Sequence, residues 1–405
     1  MKSSNLIPHL FRTEYRKIVS VLCRRFGFRQ IEIAEDIASE TFLVAAQAWG
    51  IEGVPPNPVG WLYQVAKNKS KNYLQRGATF DMKVAPVLDI NIQDDSQTEI
   101  DLSPNNINDS QLQMIFAICK PVISSEAQIG LSLRILCGFG IGEIADAFNT
   151  SKDVINKRLT RAKEKLREHN IQIEMPEPEL IEGRLDSVLL TIYLVFNEGY
   201  YSQSQNKILR KELCLEAMRL CTMLIESTLT NTPKVNALLA LMCFHASRFD
   251  ARTDETGELI LYDEQDTQLW NSDLISKGAY FLNQAKGGTH LSRYHLEAGI
   301  AFLHTQKEDT QEKWEQILQY YNLLLQIQYS PAAALNRTYA LYKARGADPA
   351  IGEAEKLKLT GNRFYYLLLA ELHKEADPAK STQYLENALS LASTEAEKRA
   401  IGRRR

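Results

Sequence analysis

Apolar positions recur at intervals of three and four along nearly the whole chain, and alternating runs of the strand type are almost missing. Phe11, Tyr15, Ile18 and Leu22 lie on one helical stripe. Ile33, Ile37, Thr41, Val44 and Ala48 form a second, widened by Ala34, Ala38, Ala45 and Trp49. The run GIEGVPPNP at 50–58 breaks the period, because its prolines and glycines cannot continue a helix. Asn57 then reads as an N-cap with Pro58 at the first helical position, which predicts a helix to about Arg76.

Residues 77–108 are polar, acidic and without sustained period, and read as a flexible linker. Helical spacing returns near Gln111 and holds to about Asn170. IQIEMPEPE at 171–179 marks a second boundary, since two prolines cannot sit inside a helix. The rest is again helical. Near its end, ALYKARGADPA (340–350) and AELHKEADPA (370–379) share the tetrapeptide ADPA, each time between two helix-like stretches. That spacing suggests stacked helical hairpins of the tetratricopeptide (TPR) kind. The fold class expected is all-α.

Composition narrows the class. The chain has 405 residues, 44% of them hydrophobic, enough for two or three domains. Its six cysteines form no CxxC pair and read as core residues, which argues against a disulfide framework or a zinc site. No charged segment followed by an apolar run opens the chain, and the longest apolar run, Val188–Phe196, is far short of the roughly 20 residues a bilayer requires. A soluble, cytoplasmic protein with no membrane partner is expected.

Charge adds the sharpest signal. Formal net charge is −3, yet residues 150–168, TSKDVINKRLTRAKEKLRE, hold seven Lys/Arg against Asp153, Glu164 and Glu168. Ile155, Leu159, Ala162 and Leu166 make the inward stripe and leave Lys152, Asn156, Lys157, Thr160, Arg161, Lys163 and Lys165 outside it. Upstream, Ile141, Ile144, Ala145 and Phe148 define a short helix, and Thr150 with Asp153 fits a capping box for the next. Two helices across a tight turn, the second basic outside, make a helix-turn-helix whose cations neutralise phosphates while Asn, Thr and Arg reach base edges. An ordinary solvated helix balances its signs in i, i+4 pairs, and this one does not.

The helix 58–76 combines Lys67, Lys69, Lys71 and Arg76 with Trp61, Tyr63, Tyr73, Asn68 and Asn72, a mixture suited to single-stranded DNA. Before it, Asp36 and Glu40 lie one turn apart on a face without bases, suited to a basic protein partner or simply to solvent.

In order, AEDIASETFLVAAQAW (34–49), NPVGWLYQVAKNKSKNYLQR (57–76) and SSEAQIGLSLRILCGFGIGEIADAFNTSKDVINKRLTRAKEKLRE (124–168) resemble the extracytoplasmic-function (ECF) sigma factors, of the sigma-70 family, of bacterial RNA polymerase. The resemblance implies sigma domain 2 at 8–76, a flexible linker at 77–108 and sigma domain 4 at 109–170. It implies that Asp36, Glu40 and Phe42 face core polymerase. Trp61, Tyr63, Lys67, Asn68, Lys71, Asn72 and Arg76 would open and hold the −10 element, with the loop 50–58 as the place where an extruded base is caught. Lys152, Asn156, Lys157, Thr160, Arg161, Lys163 and Lys165 would read the −35 element. Lys67 and Gln75 stand where the family often has arginine, and lysine lacks the bidentate fork.

Minimal members of that family end soon after the helix-turn-helix. Here RLDSVLLTIYLVFNEGYYS (184–202), ALLALMCFHASRFDARTDETGELILYDEQDTQLWN (237–271) and SPAAALNRTYALYKARG (330–346) look like the subgroup with a long TPR-like helical extension, at 180–405. Asn197, Glu198, His245, Arg248, Asp250, Arg252, Gln265, Asp266 and Trp270 mark either a pocket or partner surface, or a buried polar network. His290, His295 and His304 lack metal-site spacing, and no phosphate loop or nucleophile elbow occurs. The expectation is therefore not an enzyme: no catalytic residues, no metal, no cofactor. The partners expected are core RNA polymerase, promoter DNA, and an intramolecular or protein partner of the extension. Two other readings are a helix-turn-helix transcription regulator with a helical sensor domain, and a helical-repeat scaffold or ligand-binding enzyme with an incidental basic helix.

Overall fold

A computed structural model of the chain describes residues 3–84, 100–200, 207–252, 260, 262–288, 290–392 and 395–403. Among them every regular element is helical. The chain forms two compact units, Met1–Thr230 and Asn231–Arg405.

In the first unit, α1 (Ser3–Phe26) packs on α2 (Ile31–Glu52), α3 (Pro58–Val84) and α4 (Pro104–Ile118). Tyr15, Ile18 and Leu22 of α1 are fully buried. On α2 the buried stripe is Ile31, Ala34, Ile37, Ala38, Thr41, Phe42, Ala45 and Trp49, rotated slightly from the one periodicity marks. Asn57 caps α3, its Oδ1 accepting from the Gly60 amide at 2.9 Å.

Two ends differ from the sequence reading. The helix expected to stop near Arg76 runs on to Val84, and the next begins at Pro104 rather than near Gln111. Ser103 and Pro104 supply that start as N-cap and first helical residue. Helix therefore enters the expected linker 77–108 from both sides, and residues 85–99 lie outside the described residues.

Then come α5 (Ser125–Leu131), a wide helical turn (Ser132–Leu136), α6 (Ile141–Ala147) and α7 (Lys152–Glu168). Gly138 links the wide turn to α6 at φ 74°, and a Cβ there would lie 2.9 Å from the Arg12 carbonyl oxygen. Only glycine lets that loop lie so close to α1. The unit closes with the antiparallel pair α8 (Pro178–Tyr200) and α9 (Lys207–Glu226). A Cβ on Gly199 would meet the Arg210 carbonyl at 2.5 Å, so the pair touches backbone to backbone at that end.

The second unit is a run of helices, each packed on its neighbours: α10 (Pro233–Ser247), α11 (Ser272–Gln284), α12 (Arg293–Leu303), α13 (Gln311–Ile327), α14 (Pro331–Arg345), α15 (Ala347–Leu357), α16 (Arg363–His373), α17 (Pro378–Ser390) and α18 (Glu395–Gly402). Their starts are written locally. Ser330 accepts from the Ala333 amide at 3.1 Å ahead of Pro331, and Asp377 from Lys380 at 3.0 Å ahead of Pro378. The two ADPA segments fall at the starts of α15 and α17. A core from Ile300 to Leu372, including Trp314, Ile317 and Leu341, runs through α12–α16.

Candidate nucleic-acid interface

Helices α6 and α7 meet across residues 148–151. Asn149 takes a left-handed conformation (φ 47°) and the Thr150 amide returns to the Ala145 carbonyl at 2.9 Å, which turns the chain sharply. The cap of α7 is Ser151, whose Oγ accepts from Val154 at 3.3 Å, one residue after the Thr150 the sequence favoured. Ile155, Leu159, Ala162 and Leu166 are buried as the stripe required. Arg158 lays its guanidinium 5.4 Å from the Phe148 ring, tying the two helices together.

Of the seven residues expected at the −35 element, Lys152, Asn156, Lys157, Thr160, Arg161 and Lys165 are exposed together. Lys163 is not. Its side chain is 12% exposed and its Nζ is ion-paired with Glu35 of α2. The Arg134 Nε, from the wide turn, lies 3.2 Å from the other oxygen of the same carboxylate. One turn on, Arg167 pairs with Glu32 and donates to the Phe28 carbonyl at 3.2 Å.

On α3 the aromatic and basic residues separate. Trp61 meets Trp49 edge-on at 5.4 Å, Tyr73 lies 5.6 Å from Phe26, and Tyr63 donates to Glu14 at 2.6 Å. Burial and that carboxylate push the Tyr63 phenol well above its ordinary pKa. These rings point into the bundle. Asn68, Lys71, Asn72 and Arg76 are exposed and Lys67 is half-buried. Lys69 is held 2.7 Å from Glu40, so the acidic face of α2 does meet a base.

Asp36 and Glu40 are exposed on α2. Phe42 is a correction: it is 4% exposed and packs against Phe11 at 5.0 Å, so it belongs to the core and is not offered to a partner. The apolar side chain presented there is its neighbour Leu43, 58% exposed, which the sequence did not single out.

The hairpin α8–α9 is tied to the same body. Arg12 of α1 lies over the Phe139 ring and reaches Glu143 of α6 and Glu212 of α9. Arg16 lies 2.5 Å from Glu216, which also accepts from Arg219 at 2.8 Å. Arg219 donates in turn to the Leu136 carbonyl at 2.6 Å and to Gln111 at 3.3 Å. On α8, Thr191 donates to Gln128 of α5 at 3.0 Å.

The polar residues singled out in the extension fall in both units. Asn197 and Glu198 sit on α8, where burial raises the Glu198 carboxyl above its ordinary pKa. In the second unit Arg248 stands 5.4 Å from the Tyr262 ring and 6.0 Å from Trp270, and Tyr262 donates to the His304 carbonyl at 2.9 Å. His304 falls to about 3 and His245 well below its ordinary value, through burial first and then the cations around them. Among the described residues no group of three His, Cys, Asp or Glu could hold a metal, and no helix is long and apolar enough to cross a membrane.

Residues 10–79 match sigma-70 region 2, and residues 184–286 match a family of unknown function, DUF6596. An uncharacterized protein of Rhizobium meliloti (strain 1021) is 31% identical over 376 residues, covering 91% of this chain and 88% of the relative. No solved structure matches the chain. The chain therefore belongs to one family with that relative along most of its length, and its residues 10–79 carry a match to sigma-70 region 2.

Proposed function

We infer that this protein is an ECF-type sigma factor: it binds core RNA polymerase, reads the −35 and −10 promoter elements and promotes initiation, while the polymerase supplies the chemistry. The observation that carries the reading is the pairing of a sigma-70 region 2 at residues 10–79 with a second basic module whose outer face holds Lys152, Asn156, Lys157, Thr160, Arg161 and Lys165. In this reading α7 enters the major groove. Its N-terminal Lys152, Asn156 and Lys157 approach base edges, and the later cations neutralise phosphates. The exposed Asn68, Lys71, Asn72 and Arg76 of α3 track the −10 strand. Asp36, Glu40 and Leu43 face the polymerase. The TPR-like extension modulates activity and acts on the sigma modules through α8–α9. The place of action is the cytoplasm.

Nuclease footprinting tests this. With core polymerase, protection should cover −35 and −10 together, and without polymerase neither should be covered at the same concentration. Protection of duplex by the protein alone would favour a conventional helix-turn-helix regulator.

A further inference from the structure

Three polar atoms of the second unit are shielded from solvent and have no hydrogen-bond partner among the described residues: Arg248 Nε, Trp270 Nε1 and His304 Nδ1. Local structure brings their side chains together. Arg248 is the C-cap of α10, His304 is the C-cap of α12, and Trp270 ends the single turn Thr267–Leu269. All three surround one ring. The Tyr262 centroid lies 5.4 Å from the Arg248 guanidinium, 6.2 Å from the Trp270 ring and 5.0 Å from the His304 ring. Arg248 also stands 6.0 Å from the Trp270 ring.

The charge here is one-sided. Among the described residues no carboxylate comes within ion-pair distance of Arg248. Asp309 is taken by Lys343 at 2.8 Å and by the Trp314 indole, and Asp266 by the Gln268 amide at 2.9 Å. Burial first, and Arg248 next, hold His245 and His304 neutral. The C-terminal dipoles of α10 and α12 offset part of the positive charge but give the Arg248 Nε no acceptor. Water satisfies an N–H group without neutralising a partly buried cation. One guanidinium and two neutral N–H groups call for a single negative charge with several lone pairs, which describes a carboxylate better than a phosphate dianion. The Tyr262 and Trp270 rings supply apolar faces for the body that carries it.

We propose that the second unit binds a small aromatic carboxylate. Its oxygens accept from Arg248, from Trp270 and, in the Nδ1–H tautomer, from His304, while its ring packs against Tyr262 and Trp270. The site goes beyond the sigma-factor reading and does not rest on it. Access runs through the irregular chain joining α10 to α11, which includes the single turns Phe249–Ala251, Tyr262–Glu264 and Thr267–Leu269. Turns so short hold few backbone hydrogen bonds and open locally at little cost. Lys313 donates to the Tyr262 hydroxyl at 3.4 Å and also lines a cavity of about 280 Å³ with Phe302 and Leu303, so the packing next to the ring has room to give.

The test is a titration of para-fluorobenzoate into the full chain, followed by fluorine NMR, with para-fluorobenzamide as the neutral isostere. The benzoate should saturate a single site with a dissociation constant of about 1 mM or tighter. The benzamide should bind about ten-fold more weakly, and inorganic phosphate should displace the benzoate only at far higher concentration. R248Q should weaken binding by about ten-fold, and R248K by less, because lysine keeps the charge and loses the fork. W270F keeps a ring and loses the N–H, so it should weaken binding by about five-fold, and it probes the same site should R248Q fail to fold. No binding by the wild-type chain would overturn the proposal, as would equal binding of the benzamide or undiminished binding by R248Q and W270F. Phosphate competing at equal concentration would also overturn it, in favour of a site for a compact anion. Core polymerase takes no part in the titration, so its outcome leaves the sigma reading untouched.

Discussion

Arg12 Nη1 donates to Glu212 Oε2 at 2.9 Å across 200 residues of sequence. It joins the first helix of region 2 to a helix of the extension, and Arg16 with Glu216 repeats the join one turn later. The extension does not begin as a separate appendage: its first hairpin completes the body that carries the faces proposed to read DNA.

Cutting the chain after residue 172 should therefore destabilise what remains, whereas cutting after Thr230 should not. Arg16 is 8% exposed and Glu216 16%, so E216A leaves a buried cation without its counter-charge and should cost about 3 kcal/mol. Denaturant unfolding of the 1–172 and 1–230 chains, and of E216A in the full chain, checks this. Equal midpoints for the two fragments would show that the hairpin contributes nothing.

G138A should lose about 2 kcal/mol or more, because the new methyl meets the Arg12 carbonyl and the backbone is left in a left-handed conformation. G50A, where a Cβ meets nothing within 4 Å, is the control and should be neutral or slightly stabilising.

Substituting Arg161 or Lys157 by Ala should weaken promoter use. A base-reading contact costs about 1–3 kcal/mol and relaxes preference at one position, whereas a phosphate contact weakens all sites alike and lowers the salt slope by about one. Competition binding across a promoter library in the presence of core polymerase separates the two. No effect from either would remove α7 from the DNA interface.

The second unit should be acid-sensitive. His304 and His245 are held neutral when folded, and the unfolded chain protonates them below about pH 6.5. Their contribution is whole above that pH. Each ring then loses up to about 1.4 kcal/mol per pH unit as pH falls toward 3, the folded value of His304. Thermal melts from pH 7.5 to 5 should show the loss, and H304Q should flatten it.

Much of the architecture was written in local pattern. The stripe of Ile155, Leu159, Ala162 and Leu166 predicts the buried face of α7 residue by residue, because a 3.6-residue period leaves little choice. Ends were harder. Thr150 and Ser151 are both hydroxyl residues, and only the turn at Asn149 decides which one caps. Pro104 opens a helix inside a polar stretch whose composition looks disordered. Phe42 and Leu43 are adjacent and about 100° apart around α2, so a small error in phase exchanges a core residue for an exposed one. Lys163 looks like any other cation of α7, and its partner lies 128 residues earlier, so no local signal identifies it. Arg134 did leave a trace, as a lone charge inside the apolar run LSLRILC, since such a charge has to find a partner.

The central claim is that this chain gives core RNA polymerase a promoter. Run-off transcription with purified bacterial core polymerase on a promoter library tests it most directly. The account predicts defined start sites that appear only when the protein is added and that weaken with R161A. Absence of any selected start site, together with tight duplex binding without polymerase, would contradict it.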